Sequence, residues 1–146
     1  MSRSNENVIE IKATPEEVFR AITEPEQIAK WFAPVRLDPR VGGEYVISWG
    51  PGMESRGIIS AWDPYTHFGK YNDRSVAYGG DGKPVETGKT YRIAVDFYID
   101  AAGDGVTRLR LVQSGFGPEA AWDDELESTK TGWTDFLKKL KKVLEG

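Results

Sequence analysis

Hydrophobic and polar residues alternate most regularly at Tyr91, Ile93, Val95, Phe97 and Ile99, which share one face of an extended segment. Ala101-Ala102-Gly103-Asp104-Gly105 then supplies a hairpin turn, and Thr107 to Val112 returns with Leu109 and Leu111 on one side. The same period runs from Gly43 to Trp49, where Tyr45, Ile47 and Trp49 oppose Glu44 and Ser48. Gly50-Pro51-Gly52 turns the chain into a strand around Ile58, Ile59 and Trp62. Asp63-Pro64 turns it again into a weaker alternation over His67–Asn72. Residues 76–89, rich in glycine and interrupted by Pro84, read as a loop.

Helical patterns flank this β region. A short strand at Val8, Ile9 and Ile11 ends at Thr14-Pro15-Glu16-Glu17, which has the chemistry of a helix start. Thr14 caps, Pro15 takes the first helical position, and Glu17 reaches back to the cap. A second start at Thr23-Glu24-Pro25-Glu26 leads to Trp31-Phe32, and Pro34 stops it. At the far end Trp122, Leu126, Thr129, Trp133, Phe136, Leu137, Leu140 and Leu144 recur at steps of three or four, which predicts one long helix from Pro118 to Leu144. Gly132 lies inside it, a gap in the helix surface that another backbone could approach.

Composition narrows the choices. The chain's 146 residues fit one domain, taken as 1–146, with 39% hydrophobic residues and 16 glycines. A net charge of −4 argues against a nucleic-acid binder with a basic face. No cysteine and a single histidine leave no basis for thiol chemistry or a metal site, and nothing asks for a cofactor. Met1 to Lys12 is polar and no stretch approaches the ~20 apolar residues of a membrane span, so a soluble cytoplasmic protein is expected.

Most candidate chemistry has an ordinary explanation. Gly88-Lys89-Thr90 lacks the spacing and the following helix of a phosphate loop, and Gly103-Asp104-Gly105 fails as a dinucleotide motif because Arg108 stands at the third glycine. His67, with Glu44 and Arg56, is the available acid–base set, without an accompanying nucleophile. Asp123-Asp124-Glu125 and Lys138 to Lys142 complement the two ends of the helix dipole. The aromatic inventory says more. Trp31, Tyr45, Trp49, Trp62, Tyr71, Phe97, Trp122 and Trp133 fall on faces expected to point inward, either as a filled core or as the lining of an apolar pocket between sheet and helix.

The order of elements is that of the α+β helix-grip fold (Bet v 1/START-like), a curved antiparallel sheet wrapped around a long C-terminal helix, with two short helices after the first strand. The chain also resembles the activator of Hsp90 ATPase homologue family over nearly its full length. The resemblance rests on Ala13-Thr14-Pro15-Glu16-Glu17-Val18-Phe19 with Ala21 and Thr23, and on Trp31-Phe32. It continues in Asp38-Pro39-Arg40-Val41-Gly42-Gly43-Glu44-Tyr45, Ser114-Gly115-Phe116 and Gly132-Trp133 with Leu137 and Leu140. Gln113 departs from it, standing where many relatives carry histidine. The resemblance implies three uses: a non-enzymatic binder of a small apolar or amphipathic ligand, a protein-interaction module like the co-chaperone domain, or a cyclase/dehydratase-type enzyme. The aromatic set favours the first.

Overall fold

The computed structural model describes residues 2–146. The first strand, β1 (Arg3–Ile11), leads into helices α1 (Pro15–Thr23) and α2 (Pro25–Ile28). Six further strands follow: β2 (Val35–Leu37), β3 (Glu44–Gly50), β4 (Met53–Asp63), β5 (His67–Tyr78), β6 (Pro84–Gly103) and β7 (Val106–Phe116). A single turn of 3-10 helix, Ala120–Trp122, precedes α3 (Asp123–Glu145). All seven strands form one antiparallel sheet in the order β1-β7-β6-β5-β4-β3-β2. Register shifts interrupt β4–β5 between Ile59 and Ala61 and β5–β6 between Arg74 and Val76, and such irregularities bend long strands. The result is the α+β helix-grip fold.

Local chemistry matches the sequence at the entrance to α1. Thr14 Oγ1 accepts from the Glu17 amide at 3.2 Å, and the Thr14 amide donates to Glu17 Oε1 at 2.9 Å, a complete capping box. Two glycines are required by close approach. A Cβ at Gly43 would overlap the Asp38 carbonyl oxygen, and one at Gly115, where φ is +95°, would overlap that of Arg92.

Three expectations are corrected. Residues 76–89 are mostly strand: Val76, Ala77 and Tyr78 pair with Glu86, Val85 and Pro84. Pro84 is tolerated as the first residue of its strand, and the turn itself closes with the Gly79 amide donating to the Lys83 carbonyl. The last helix begins at Asp123 rather than Pro118, because the carbonyls of Gly117 and Glu119 are taken by the Arg3 guanidinium. At Gly132 no backbone approaches; an added Cβ would meet nothing within 4 Å.

The main core lies between the sheet and the helices, with Ile11, Val18, Ile59, Phe68, Leu109, Leu111 and Leu140 fully buried. A smaller cluster of Ala77, Ile93, Phe116 and Trp122 closes the end where α3 starts. Leu140→Ala should lower the unfolding free energy by about 3 kcal/mol, and Thr14→Ala by about 1 kcal/mol. Chemical denaturation with an unchanged m-value checks both.

Candidate functional site

One flank of α3 is tied to β1. Asn5 Nδ2 donates to the Leu126 carbonyl and to Thr129 Oγ1, both at 3.1 Å. Asn7 Nδ2 donates to the Lys130 carbonyl at 3.2 Å and to Thr134 Oγ1 at 2.6 Å. Farther along, Lys141 Nζ donates to the Glu10 carbonyl at 2.8 Å.

The opposite flank makes contacts at two places. Near the start of α3, buried Glu125 pairs with Arg74 of β5, and its Oε1 also accepts the Tyr78 amide at 2.9 Å. One turn after Gly132, the ring of Phe136 meets that of Phe32 at 4.8 Å, in the segment leading to β2. Gly132 follows Glu125 by seven residues and precedes Phe136 by four, so all three share this flank. An added Cβ at Gly132 would meet nothing within 4 Å, so this flank of α3 is open there, and the open flank with the β3–β5 residues beside it makes the candidate cleft.

The sheet wall of the cleft carries polar residues on its concave face. Lys70 pairs with Ile59 and Val95, both core residues, so its side chain points toward α3. Its Nζ sits 4.9 Å from the centre of the Tyr45 ring. Among the described residues Lys70 makes no hydrogen bond and no ion pair, and it is only partly exposed. Burial, with the nearby Arg74 charge adding to it, holds its ammonium down to about 8. Burial also raises the Tyr45 hydroxyl, which therefore stays protonated. Asn72 follows on the same face.

The apolar wall is aromatic. Trp49, Phe32, Trp133, Phe97, Phe68, Tyr45 and Trp62 form one chain of ring contacts at 5.4–6.1 Å. Trp31 joins through Phe32 at 5.6 Å. Two indoles are held by hydrogen bonds of 2.9 Å: Trp31 Nε1 to the Ala21 carbonyl and Trp133 Nε1 to Gln113 Oε1. Trp49, 48% exposed, stands at the rim with Nε1 on Ser55 Oγ at 2.8 Å.

The structure thus brings together Trp31, Tyr45, Trp49, Trp62, Phe97 and Trp133, and leaves out two of the eight expected aromatics. Tyr71 is on the convex face, one residue out of step with Phe68 and Lys70, where the Arg92 guanidinium lies 4.0 Å from its ring centre. Trp122 belongs to the separate cluster with Phe116. The ring contacts also show that these side chains pack against one another, in place of a hollow running under the whole helix. Two surface depressions of about 520 Å³ each lie elsewhere, beside Arg3 and Lys130 and at the Ser48–Glu54 turn.

The acid–base candidates lie outside the cleft. His67 Nε2 is 2.7 Å from Asp96 Oδ1 and its ring stacks on Tyr98, on the convex face. Glu44 and Arg56 pair with each other at 3.2 Å on that same face. Asp123, Asp124 and Glu125 are divided among Arg3, the Gly80 amide and Arg74. Sequence reasoning missed Lys70, Asn72 and Glu125. The signal for the first two was the weak alternation over His67–Asn72, which is what polar residues at inward positions produce.

The fold defines a helix-grip domain, with the candidate cleft on one flank of α3. The family model for Activator of Hsp90 ATPase homolog 1-like protein matches residues 12–145, and the chain belongs to that family. Protein MLL2253 from Mesorhizobium loti has a TM-score of 0.81 at 26% identity, over 98% of this chain and 97% of its own. The Aha1 dimer from Colwellia psychrerythraea scores 0.73 at 21% identity, over 98% and 96%. PFC0360w, an HSP90 activator from Plasmodium falciparum, scores 0.71 at 19% identity, over 97% and 96%. No curated protein matches the sequence. Among the described residues, no helix is long and apolar enough to cross a membrane.

Lys70 should titrate near 8, against 10.5 for an ordinary lysine, as NMR of its side-chain carbons would report. Its folded value lies below the unfolded one. Between about 8 and 10.5 the unfolded chain therefore binds the extra proton, and stability should rise with pH through that window. Lys70→Met should remove this rise and, at neutral pH, stabilise the fold by about 1–2 kcal/mol.

Proposed function

We propose that this protein binds a small amphipathic molecule in the cleft between α3 and the β3–β5 part of the sheet. The observation that carries the reading is the gap at Gly132, framed on one helix flank by Glu125 and Phe136. Trp49, Phe32 and Phe136 offer an apolar surface to the body of the molecule, and Tyr45, Lys70 and Asn72 offer polar contacts. Apolar walls with a few converging polar groups are the usual make-up of a small-molecule site. We read it as a binder and not a catalyst because the acid–base candidates His67, Glu44 and Arg56 lie on the convex surface, away from this flank of α3.

A co-chaperone-like interaction is the second reading, supported by the likeness to the HSP90 activator from Plasmodium falciparum and by exposed Tyr78 and Val85 on the β5–β6 hairpin. Stimulation of an Hsp90-type ATPase that Tyr78→Ser abolishes would favour it.

The cleft reading is tested by Gly132→Trp. The position has open space around it and tryptophan has a higher helix propensity than glycine, so the variant should stay folded with an equal or higher melting temperature. The indole should fill the cleft and weaken binding of amphipathic ligands at least about tenfold, a loss of about 1.4 kcal/mol, read by isothermal titration calorimetry. Unchanged affinity in this variant would remove the cleft as the site.

A further inference from the structure

We propose that the free edge of β1, from Ser4 to Val8, takes an extended peptide of acidic-x-basic pattern as an added antiparallel strand, seated in the groove between β1 and α3. The site is separate from the cleft and does not depend on the reading given to it.

Strand parity shows which backbone groups of β1 are free. The Ile99 amide donates to the Thr66 carbonyl, on the β5 side of β6. Ile99, Phe97 and Val95 therefore turn their backbone groups to β5, and Tyr98, Asp96 and Ala94 turn theirs to β7. Their partners Arg110, Val112 and Ser114 face β6, so Leu109, Leu111 and Gln113 face β1, where they meet Ile9, Asn7 and Asn5. The even-numbered residues of β1 are left pointing out of the sheet. Two contacts from α3 agree: the Glu10 carbonyl accepts from Lys141 Nζ at 2.8 Å, and the Lys12 amide donates to Glu145 Oε2 at 2.7 Å. These close the edge at its C-terminal end. At the other end the Arg3 guanidinium turns to the Gly117 and Glu119 carbonyls and to Asp123. Between them Ser4, Glu6 and Val8 are exposed, and among the described residues their N–H and C=O groups make no hydrogen bond. An unpaired sheet edge is a template for another strand, and this one is blocked at both ends and open between.

A surface depression of about 520 Å³ lies along the open stretch, lined by Ser4, Asn5 and Glu6 of β1 and by Leu126, Glu127 and Lys130 of α3. Donors and acceptors repeating every second residue, about 6.8 Å, call for an extended backbone as their complement. One face of an added strand would set its side chains beside Asn5 and Asn7, next to α3. Asn5 is bonded to the Leu126 carbonyl and Asn7 to that of Lys130, so Glu127 lies near the first and Lys130 near the second. Both are exposed, and among the described residues neither forms an ion pair. A cation opposite Asn5 and an anion opposite Asn7 complement them, and in an antiparallel strand that order reads acidic, any residue, basic. On the other face Val8, 45% exposed, favours an apolar neighbour. A second copy of this chain fits less well. Full overlap of two Ser4–Val8 stretches would set their Glu6 side chains directly opposite, a like-charge pair, and bring asparagine rather than a charge to α3.

The probe is acetyl-Val-Glu-Thr-Lys-Thr-amide at millimolar concentration, followed by NMR amide exchange and chemical-shift titration. In the protein alone the Ser4, Glu6 and Val8 amides should exchange freely and those of Asn5 and Asn7 slowly. The peptide should slow the first three and leave the other two unchanged. N-methylation of its central threonine removes the donor aimed at Glu6 and should weaken binding at least about fivefold, the size of one ladder bond. N-methylation of its glutamate, whose N–H points away from β1, should change the affinity by less than about twofold. Exchanging its glutamate and lysine should weaken binding about threefold or more. Glu6→Pro, tolerated on an edge strand whose N–H faces solvent, should abolish binding, and the peptide variants carry the test if that protein does not fold. Edge amides that ignore the peptide, or equal affinity for the two N-methylated peptides, overturn the strand addition. Equal binding of both charge orders overturns the acidic-x-basic pattern. Exchange at these amides that slows with rising protein concentration and no peptide makes a second copy the occupant and overturns the peptide assignment.

Discussion

The attachment of α3 to β1 determines how the rest of the interior is arranged. Asn5 and Asn7 are two residues apart on a strand, a span of about 6.8 Å, and the carbonyls they reach, Leu126 and Lys130, are four apart on a helix, about 6 Å. The two repeats nearly match, so a pair of asparagines can fasten a strand to a helix lying along it. Each still leaves its Oδ1 without a partner, a real cost inside a protein. The helix is thereby drawn toward the β1 edge of a seven-strand sheet. A single helix held at one edge does not cover the whole sheet alone: on the β3–β5 wall Tyr45, Ile47, Ile59 and Phe68 are buried in a core that Val18, Phe19 and Ile22 of α1 share with α3.

That wall is where the chain departs from the economy of an ordinary core. At inward positions of β6, Ile93, Val95, Phe97 and Ile99 are all buried and apolar, whereas β5 next to it presents Phe68, then Lys70, Asn72 and Arg74. One of these polar residues is compensated within the fold, through Glu125, and that pair closes the end of the cleft beside the second core cluster. Lys70, the other charged one, is half-buried and, among the described residues, meets only the face of the Tyr45 ring. Replacing an unpaired buried charge by an apolar side chain commonly stabilises a protein.

How far this could be read in advance depended on parity and on distance. Strand pattern, capping box and the glycine pair at Gly42-Gly43 are local, and each was legible. Six aromatics met as expected because their strands alternate cleanly or because Trp-Phe sits at a helix end. Tyr71 did not, since β5 has no unbroken apolar alternation to establish which face it takes, and a shift of one residue moves a side chain across the sheet. Trp122 fell on the helical stripe but belongs to a separate cluster, because Arg3 captures the carbonyls of Gly117 and Glu119 and delays the helix. The Arg3 bonds, the two asparagines and Glu125 with Arg74 all join residues more than fifty positions apart, and no short-range pattern contains them.

The apolar end of the cleft is held more firmly than its polar end, and this bears on how a ligand would be oriented. Phe32 lies against Trp133, nearly parallel at 15°, and tilted against Trp31, and both indoles are fixed by hydrogen bonds to groups in the fold. One of those groups is Gln113. Its amide accepts the Trp133 N–H at 2.9 Å and has no proton to gain or lose near neutral pH, so the aromatic wall keeps its shape as acidity changes. Lys70, by contrast, is a flexible side chain near its own titration point. The aromatic surface is thus the part of the proposed site whose shape does not change with acidity, and Lys70 is the part that does respond to it.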